Sequence, residues 1–299
     1  MSRLHEISSQ RERFLHSRDH LLVFLLRSAT AIGAGVVLLI GTYVTIGAWP
    51  AMEEMALTRF VSDQRWSPLS DQFNMMPMIV GTLAATFGSV LLTAPLGIGS
   101  AVFLRFYAPA PVAAVYRRVI EILAGVPSVV YGLWGLTALA PLIASISPLG
   151  QGQSLLAGVL VLSLMTLPTV AMAADAALGS TPISYHQGAA ALGLGRRAIA
   201  WSIVVPAARG GIASGVLLQT ARALGETMAV LMVCGNIVQT PDSFLAPIRT
   251  LTANIALEMG YADDRHRSVL FVSGLLLLII VMVIVLAASR FDRKRKSFG

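Results

Sequence analysis

Long apolar runs alternate with shorter polar segments along most of the chain. About 20 helical residues are needed to cross the roughly 30 Å hydrocarbon layer of a membrane, because each residue of a helix rises about 1.5 Å. The runs that are long enough are 28–49, 76–106, 119–146, 154–174, 210–233 and 268–289. The pattern therefore predicts an all-α integral membrane protein with six transmembrane helices.

The same pattern divides the chain into segments. They are a basic tail (1–27), the first membrane helix (28–49), a polar loop (50–75), a core with the other five helices (76–289) and a second basic tail (290–299). Hydrophobic residues make up 56% and charged residues 12% of the chain, and the mean hydropathy is +0.74. Since soluble domains carry about 25% charged residues, we expect little mass outside the membrane.

Proline and glycine interrupt two of the apolar runs. The second run contains Pro95-Leu-Gly97-Ile-Gly99, and the third contains Gly125-Val-Pro127. Proline lacks the backbone donor of a helical hydrogen bond and clashes with the preceding turn. We therefore expect a kink or a local break at both places.

Positive charge is distributed unevenly among the segments that join the helices. If the N-terminus is placed inside, 16 of the 22 Lys and Arg residues fall on inside segments and five on outside segments, with Arg222 in the membrane. Positive charge accumulates on the cytoplasmic side of membrane proteins. Both termini and the connection 175–209 are thus predicted to face the cytoplasm.

The fifth apolar run has charged residues near its centre. Arg222 lies about twelve residues, roughly 18 Å, into this run, and Glu226 follows one turn later, on the same face of a continuous helix. A charge at this depth is costly and usually marks a functional path, so we interpret the pair as part of a substrate path or gate. A structural ion pair that locks helix packing is the alternative. The sequence leaves open whether the two side chains touch each other or reach different partners.

Composition excludes several kinds of chemistry. The single cysteine, Cys234, allows no internal disulfide and no thiolate metal cluster. The only lysines, Lys294 and Lys296, cannot form the Gly-Lys-Ser/Thr sequence of a phosphate-binding P-loop. No membrane run carries paired acids or a Ser-His set, and the net charge of +7 lies beside the membrane rather than on a nucleic-acid-reading face. We therefore expect no enzymatic activity, no cofactor or metal held by this chain and no nucleic-acid partner.

The connection 175–209 is the second informative stretch. Alanine-rich residues before Gly193 favour a helix, and Gly193-Leu-Gly195 ends it. A second short helix is expected over 196–204, with Pro206 stopping it. Two short helices at an angle would form a knob that suits a groove on a partner protein, whereas the alternative is an ordinary amphipathic linker.

The segment 183–206 resembles the EAA loop of ABC-transporter permeases. Its sequence is Gln187-Gly-Ala-Ala-Ala-Leu-Gly193, nine further residues, and Ile203-Val-Val-Pro206. Gly193 and Pro206 match the family pattern in register, while Gln187 stands where the family has Glu and Gly188 where it has Ala. Because that loop docks on an ATP-hydrolysing subunit, the resemblance implies that the ATPase-coupling residues here are Gln187, Gly188, Ala189, Gly193 and Pro206.

Two further stretches are similar to the phosphate-specific members of that family: Ile122-Leu-Ala-Gly-Val-Pro-Ser-Val-Val-Tyr-Gly-Leu-Trp134 and Ala221-Arg-Ala-Leu-Gly-Glu-Thr-Met-Ala-Val230. The resemblance covers residues 76–289 and implies the MetI-like permease fold of a type I ABC importer that translocates inorganic phosphate. A guanidinium is always charged and its planar shape matches an oxyanion, so our hypothesis is that Arg222 is a gate or transient ligand of phosphate and Glu226 is its counter-ion.

The resemblance also implies a set of partners. These are a PstA-type permease, two PstB-type ATPase subunits that bind ATP and Mg, and a periplasmic or lipid-anchored PstS-type phosphate-binding protein. An importer of another oxyanion, such as sulfate or molybdate, and a permease-like scaffold that signals phosphate status remain open alternatives.

Overall fold

The computed structural model describes residues 2–147 and 151–296, with side chains over 22–147 and 151–287. Met1 of the predicted first tail, residues 297–299 of the second, and the side chains of 1–21 and 288–299 lie outside it. The helices are α1 (Ser2–Glu54), α2 (Arg59–Ser62), α3 (Met76–Phe106), α4 (Ala110–Ala124), α5 (Ser128–Trp134), α6 (Ala140–Ile146), α7 (Leu155–Gly179), α8 (Ile183–Ala191), α9 (Arg196–Ala198), α10 (Val205–Leu224), α11 (Met228–Val233), α12 (Leu251–Glu258) and α13 (Asp264–Lys296).

Short elements join some of these helices. The strands β1 (Trp66–Ser67) and β2 (Gln72–Phe73) form an antiparallel hairpin around the 3₁₀ turn Pro68–Ser70. π-helical turns at Gly135–Leu139 and Ile199–Val204 connect α5 to α6 and α9 to α10.

Six helical stretches within the described residues are long and apolar enough to cross a membrane. They are Leu22–Glu54, Met76–Phe106, Ser128–Ile146, Leu155–Gly179, Arg196–Leu224 and Asp264–Ala287. The prediction of an all-α chain with six membrane helices is confirmed. The fifth stretch, however, is shifted towards the N-terminus by more than a helical turn relative to the predicted run, and this shift changes the site described below.

Helices α3 and α7 form the centre of the bundle through small residues. Gly97 packs directly against Val170, and the hydroxyls of Thr93 and Thr166 lie 3.2 Å apart. Small side chains let two membrane helices approach closely, and threonine pairs add hydrogen bonds between them. Since α3 runs unbroken through Pro95, the kink or local break expected there is not a break, and Gly97 serves close packing.

The remaining long helices pack around this pair. Phe271 of α13 lies directly against Gly47 and makes an edge-on contact with Tyr43, both on α1. Gly215 of α10 packs on Ala173 of α7. Contacts in which one helix contributes a glycine thus recur through the bundle.

The third predicted run is divided in the structure. Helix α4 ends at Ala124, and the chain turns at Gly125-Val-Pro127 before the membrane stretch Ser128–Ile146 begins. The break expected at Gly125 and Pro127 is therefore confirmed. The single run 119–146 was wrong, because its first residues belong to α4, whose exposed Arg118 and Glu121 do not suit a membrane span.

The predicted polar loop 50–75 is largely folded. Helix α1 continues to Glu54, and α2 and the β-hairpin follow in a small unit, residues 55–75, which we call the cap. The cap has buried side chains of its own, Phe60 and Phe73. Arg59 forms ion pairs with Asp63 (3.4 Å) and Asp71 (3.5 Å), which join the helix of the cap to its hairpin.

The neighbouring glycines of α3 allow a matched test of this packing. A methyl group at Gly97 would lie 2.7 Å from Val170 Cγ1 and 3.2 Å from the backbone nitrogen of Ala171, so we expect Gly97→Ala to destabilise the protein by about 1–3 kcal/mol. At Gly99 a methyl group would meet no described atom within 4 Å, and alanine favours helix over glycine by about 1 kcal/mol. Thermal unfolding in detergent should show a lower midpoint for Gly97→Ala and an unchanged or higher one for Gly99→Ala. Equal midpoints for the two variants would contradict this packing.

Candidate functional site

The two ends of the bundle differ in charge. Helix α3 follows the cap directly and ends beside Arg105, after 31 residues or about 46 Å. We call the first end the cap end. The other, which carries Arg105, Arg117, Arg118, Arg196 and Arg197, we call the basic end.

Arg222 lies near the middle of the bundle between these ends. The amide oxygen of Gln219, one turn before it, accepts a 2.9 Å hydrogen bond from Thr169 of α7. Thr169 lies 14 residues, about 21 Å, after the start of the 25-residue helix α7. Arg222 lies three residues, about 4.5 Å, closer to the cap end, so its backbone is at roughly half the depth of α7.

Helix α10 ends immediately after Arg222. The N–H groups of Gly225 and Glu226 bond to the carbonyls of Arg222 and Ala223, both at 3.2 Å, which tightens the last turn. The chain then leaves the helix over residues 225–227, which we call the break, and α11 begins at Met228. The prediction that Glu226 lies on the same face of a continuous helix as Arg222 is therefore wrong.

Glu226 is held by other groups. One carboxylate oxygen accepts the N–H of Ala229 at 3.2 Å, in the first turn of α11, and the Glu226 carbonyl accepts the hydroxyl of Thr252 at 2.8 Å. Among the side chains that the structure describes, no ion pair joins Glu226 to Arg222, so the expected counter-ion contact is absent from this conformation. The question left open by the sequence is settled for Glu226, which reaches partners other than Arg222.

The Arg222 side chain is exposed on the surface of the chain. An ionised guanidinium at this depth is costly if it faces hydrocarbon. This face of α10 must therefore meet another protein surface or a water-filled path. Such an arrangement offers a permanent positive charge, with several hydrogen-bond donors, to an anion that passes it.

A buried polar network at the cap end was missed by the sequence analysis. Glu258 accepts hydrogen bonds from Arg249 at 2.6 Å and from Trp66 at 2.9 Å, and it lies 2.9 Å from His266 Nε2. Glu258 and His266 are almost fully buried. Glu258 ends α12, His266 lies on α13 and Trp66 is 192 positions away from Glu258, so no single helix or strand connects the three residues. The only available signal was the presence of charged residues in a mostly apolar chain.

The predicted coupling residues surround a sharp turn at the basic end. Gln187, Gly188 and Ala189 lie on α8, where the first two are exposed and Ala189 is buried. Gly193 has φ +75°, and its N–H bonds to the Ala190 carbonyl at 2.9 Å. A positive φ after the end of a helix is the usual position for glycine, so the predicted turn is present.

The second half of this segment differs from the prediction. Pro206 does not stop a short helix, because α9, the π-helical turn and α10 form one continuous stretch from Arg196 to Leu224. The wider hydrogen-bonding pattern of the π turn accommodates the proline, which lacks an N–H group and would crowd an ordinary α-helical turn. The coupling segment is thus directly continuous with the helix that carries Arg222.

Aromatic and apolar side chains lie on and beside α8 at the basic end. His186 stacks on Phe106 at the end of α3, with a ring separation of 5.5 Å. Ile183 and Leu192 are exposed at 68% and 81%. Helix α8 is therefore held to the bundle on one side and presents apolar side chains on the other.

Comparison with known proteins gives a consistent result. Residues 93–297 match the family described as "Binding-protein-dependent transport system inner membrane component". The chain is 35% identical to the "Probable ABC transporter permease protein YqgH" of Bacillus subtilis, over 97% of this chain and 98% of that protein. It is 33% identical to the "Phosphate transport system permease protein PstC" of Mesorhizobium japonicum, over 86% and 84% of the two chains.

The fold is also found among solved transporters. A chain of the inward-facing MetNI methionine ABC transporter matches with a TM-score of 0.59 at 22% identity, over 77% of this chain and 99% of that chain. The predicted type I importer permease fold is thus confirmed. Proteins of this kind operate with a partner ATPase and a substrate-binding protein. The chain belongs to the family of binding-protein-dependent transport system inner membrane components, the permease subunits of ABC importers.

Proposed function

We propose that this permease translocates inorganic phosphate and that Arg222 forms its gate or transient anion site. The observation that carries the proposal is the exposed guanidinium at mid-depth, at the end of α10. Support for the cargo comes from similarity to permeases named for phosphate transport, such as the Mesorhizobium protein. The proposed partners are a PstA-type permease, two PstB-type ATPase subunits and a PstS-type phosphate-binding protein.

The physical problem is the transfer of a charged anion across an apolar layer. Phosphate carries one to two negative charges near neutral pH, and an unpaired charge in a medium of low dielectric constant is strongly disfavoured. A guanidinium compensates this charge and binds oxyanions through two parallel N–H donors. Because capture belongs to the external binding protein, the site at Arg222 need only hold the anion briefly.

Glu226 contributes to the same gate through the break. Its carboxylate fixes the first turn of α11, and it leaves the Arg222 guanidinium available in this conformation. Its negative charge, four residues from Arg222, still lowers the net positive charge of the empty site. We therefore retain Glu226 as a gate residue, acting through charge and through the position of α11.

We propose that the protein crosses the bacterial inner membrane several times and that its basic end faces the cytoplasm. The uneven distribution of positive charge supports this orientation. The segment with Gln187, Gly188, Ala189, Gly193 and Pro206 would then dock on the partner ATPase, which binds ATP and Mg, while this chain holds no cofactor. The exposed Ile183 and Leu192 supply apolar surface for that contact.

Phosphate uptake by the reconstituted complex tests the role of Arg222. Arg222→Ala should leave the complex assembled and reduce uptake of labelled phosphate at least tenfold, because the compensating charge is lost. Arg222→Lys should retain part of the activity, since it keeps the charge but not the planar pair of donors. Arg118→Ala, on the exposed face of α4, is the matched control.

Two results of this assay would count against the proposal. Full phosphate uptake by Arg222→Ala would remove the residue from the mechanism. Competition by sulfate or molybdate stronger than by unlabelled phosphate would keep an oxyanion importer but change its cargo.

Glu226→Gln separates the charge of this side chain from its contact. The glutamine oxygen can still accept the Ala229 N–H, so α11 should remain in place. We expect ATP hydrolysis to depend severalfold less on the binding protein, because the charge balance of the gate changes. The same dependence as in the native complex, and as in the control Glu121→Gln, would contradict a role for the charge.

Gly193 and Gly195 form a matched pair for the coupling segment. Valine at Gly193 would be forced into a left-handed conformation that costs about 1–2 kcal/mol or more, whereas Gly195 has φ −71°, which valine adopts without strain. We expect Gly193→Val to lose co-purification of the ATPase or to hydrolyse ATP without phosphate uptake. Gly195→Val should behave as the native chain. Normal co-purification and uptake in Gly193→Val would refute the docking role.

A further inference from the structure

Helix α12 connects the break to the cap. It spans Leu251–Glu258, eight residues or about 10 Å between the first and last Cα atoms. Its first turn contacts the break after Arg222, and its last residue contacts the hairpin of the cap. Since a short helix with both ends fixed moves as a rigid unit, a displacement at one end reaches the other.

The contact at the first turn is made by a hydroxyl. Thr252 donates to the carbonyl of Glu226, 26 residues earlier in the chain, at 2.8 Å. Other threonines of the bundle donate to carbonyls four residues earlier in their own helix, as Thr82, Thr166 and Thr220 do. Thr252 therefore makes a tertiary bond, at a carbonyl that lies in the non-helical break.

This end of α12 is also fixed to α3. The N–H of Leu251 donates to the hydroxyl of Thr82 at 2.9 Å, and the side chain of Thr250 accepts the N–H of Ala253 at 3.2 Å. The backbone of the first turn of α12 is thus satisfied without Thr252. The Thr252 hydroxyl lies 3.1 Å from that of Thr250, so it can accept from Thr250 while it donates to the break. Thr252 itself is nearly buried, with 9% exposure, so water competes poorly for this bond.

The other end of α12 is held by the buried network. The Glu258 carboxylate receives the Trp66 indole N–H from the cap and the Arg249 guanidinium from the segment before α12. His266 at the start of α13 contacts the same carboxylate. Glu258 thereby joins the cap, α12 and α13 at one group.

We propose that α12 is a strut between the cap and the break, and that Thr252 is the positioning residue that keeps the end of α10, and with it Arg222, in the position that the structure shows. The inference rests on the proposed gate at Arg222. In this proposal, the external binding protein stimulates ATP hydrolysis by acting on the cap. The effect then reaches the break through Trp66, Glu258, α12 and Thr252.

The test measures ATP hydrolysis by the full transporter complex in lipid nanodiscs, without and with phosphate-loaded binding protein. Thr252→Val removes the hydroxyl at nearly constant shape, and with it the contacts to the Glu226 carbonyl and to the Thr250 hydroxyl. Only the first of these holds the break, so we expect basal hydrolysis to rise roughly fivefold, the population change that follows the loss of one hydrogen bond. The stimulation by binding protein should fall by the same factor. Thr252→Ser keeps the hydroxyl and should restore the native ratio, which a purely steric role for threonine would not allow.

Two further variants complete the design. Trp66→Phe removes the indole N–H at the far end of the strut, together with part of the ring, and should raise basal hydrolysis in the same direction. Thr45→Val makes the same chemical change as Thr252→Val at an exposed threonine of α1 that bonds the Gly41 carbonyl of its own helix, and it should change nothing.

Basal hydrolysis requires neither phosphate nor the binding protein, so it separates this inference from the proposed cargo. Native basal rates in both Thr252→Val and Trp66→Phe, or a raised rate in Thr252→Ser, would overturn the strut even if the native complex imports phosphate. If Thr252→Val does not assemble, Trp66→Phe decides. Uptake of sulfate in place of phosphate would overturn the cargo and leave the strut standing.

Discussion

The structure depends on a helix that ends inside the membrane. In a hydrocarbon layer every backbone N–H and C=O group needs a partner within the protein, because water is absent. Helix α10 stops at Leu224, and the break that follows obtains its partners from elsewhere: the carbonyl of Glu226 from Thr252, and the first turn of α11 from the Glu226 carboxylate. The position of Arg222 is therefore set by these few tertiary hydrogen bonds as well as by α10 itself.

This arrangement explains why the charge is tolerated. In a continuous helix, Glu226 would lie one turn from Arg222 and could neutralise it in an ion pair. The break instead directs Glu226 towards α11 and leaves Arg222 on the surface of the chain. A guanidinium without an ion-pair partner among the described side chains makes this a face for a partner subunit or a path. The contact of Gly97 with α7, elsewhere in the bundle, involves no charge. There, close packing alone holds the two membrane helices together.

The features that could be predicted from the sequence are those that need an apolar run of a fixed length or one particular residue type. Six apolar runs predict six helices because crossing the membrane fixes their length, and Gly193 predicts a turn because its positive φ suits glycine. The sequence did not predict the end of α10, because Gly225 lies in an apolar run and glycine is common in membrane helices. The contact between Trp66 and Glu258 joins residues 192 positions apart, and no local pattern reports such a pair. The prediction that Pro206 stops a helix was wrong for a similar reason, since the π turn that accommodates this proline depends on the surrounding packing.

The continuity of the helix through Pro206 has a mechanical consequence. A short coupling helix stopped by proline would have been connected to the gate through a flexible joint. The structure has instead one helical stretch of 29 residues from Arg196 to Leu224, about 43 Å long, which begins just after the turn at Gly193 and ends two residues beyond Arg222. If the segment docks on the partner ATPase as proposed, a displacement there would be delivered along a single helix to the break. Helix α12 reaches the same break from the cap end. In the proposed mechanism, forces from the two ends of the bundle would therefore meet at the residues that hold Arg222 in place.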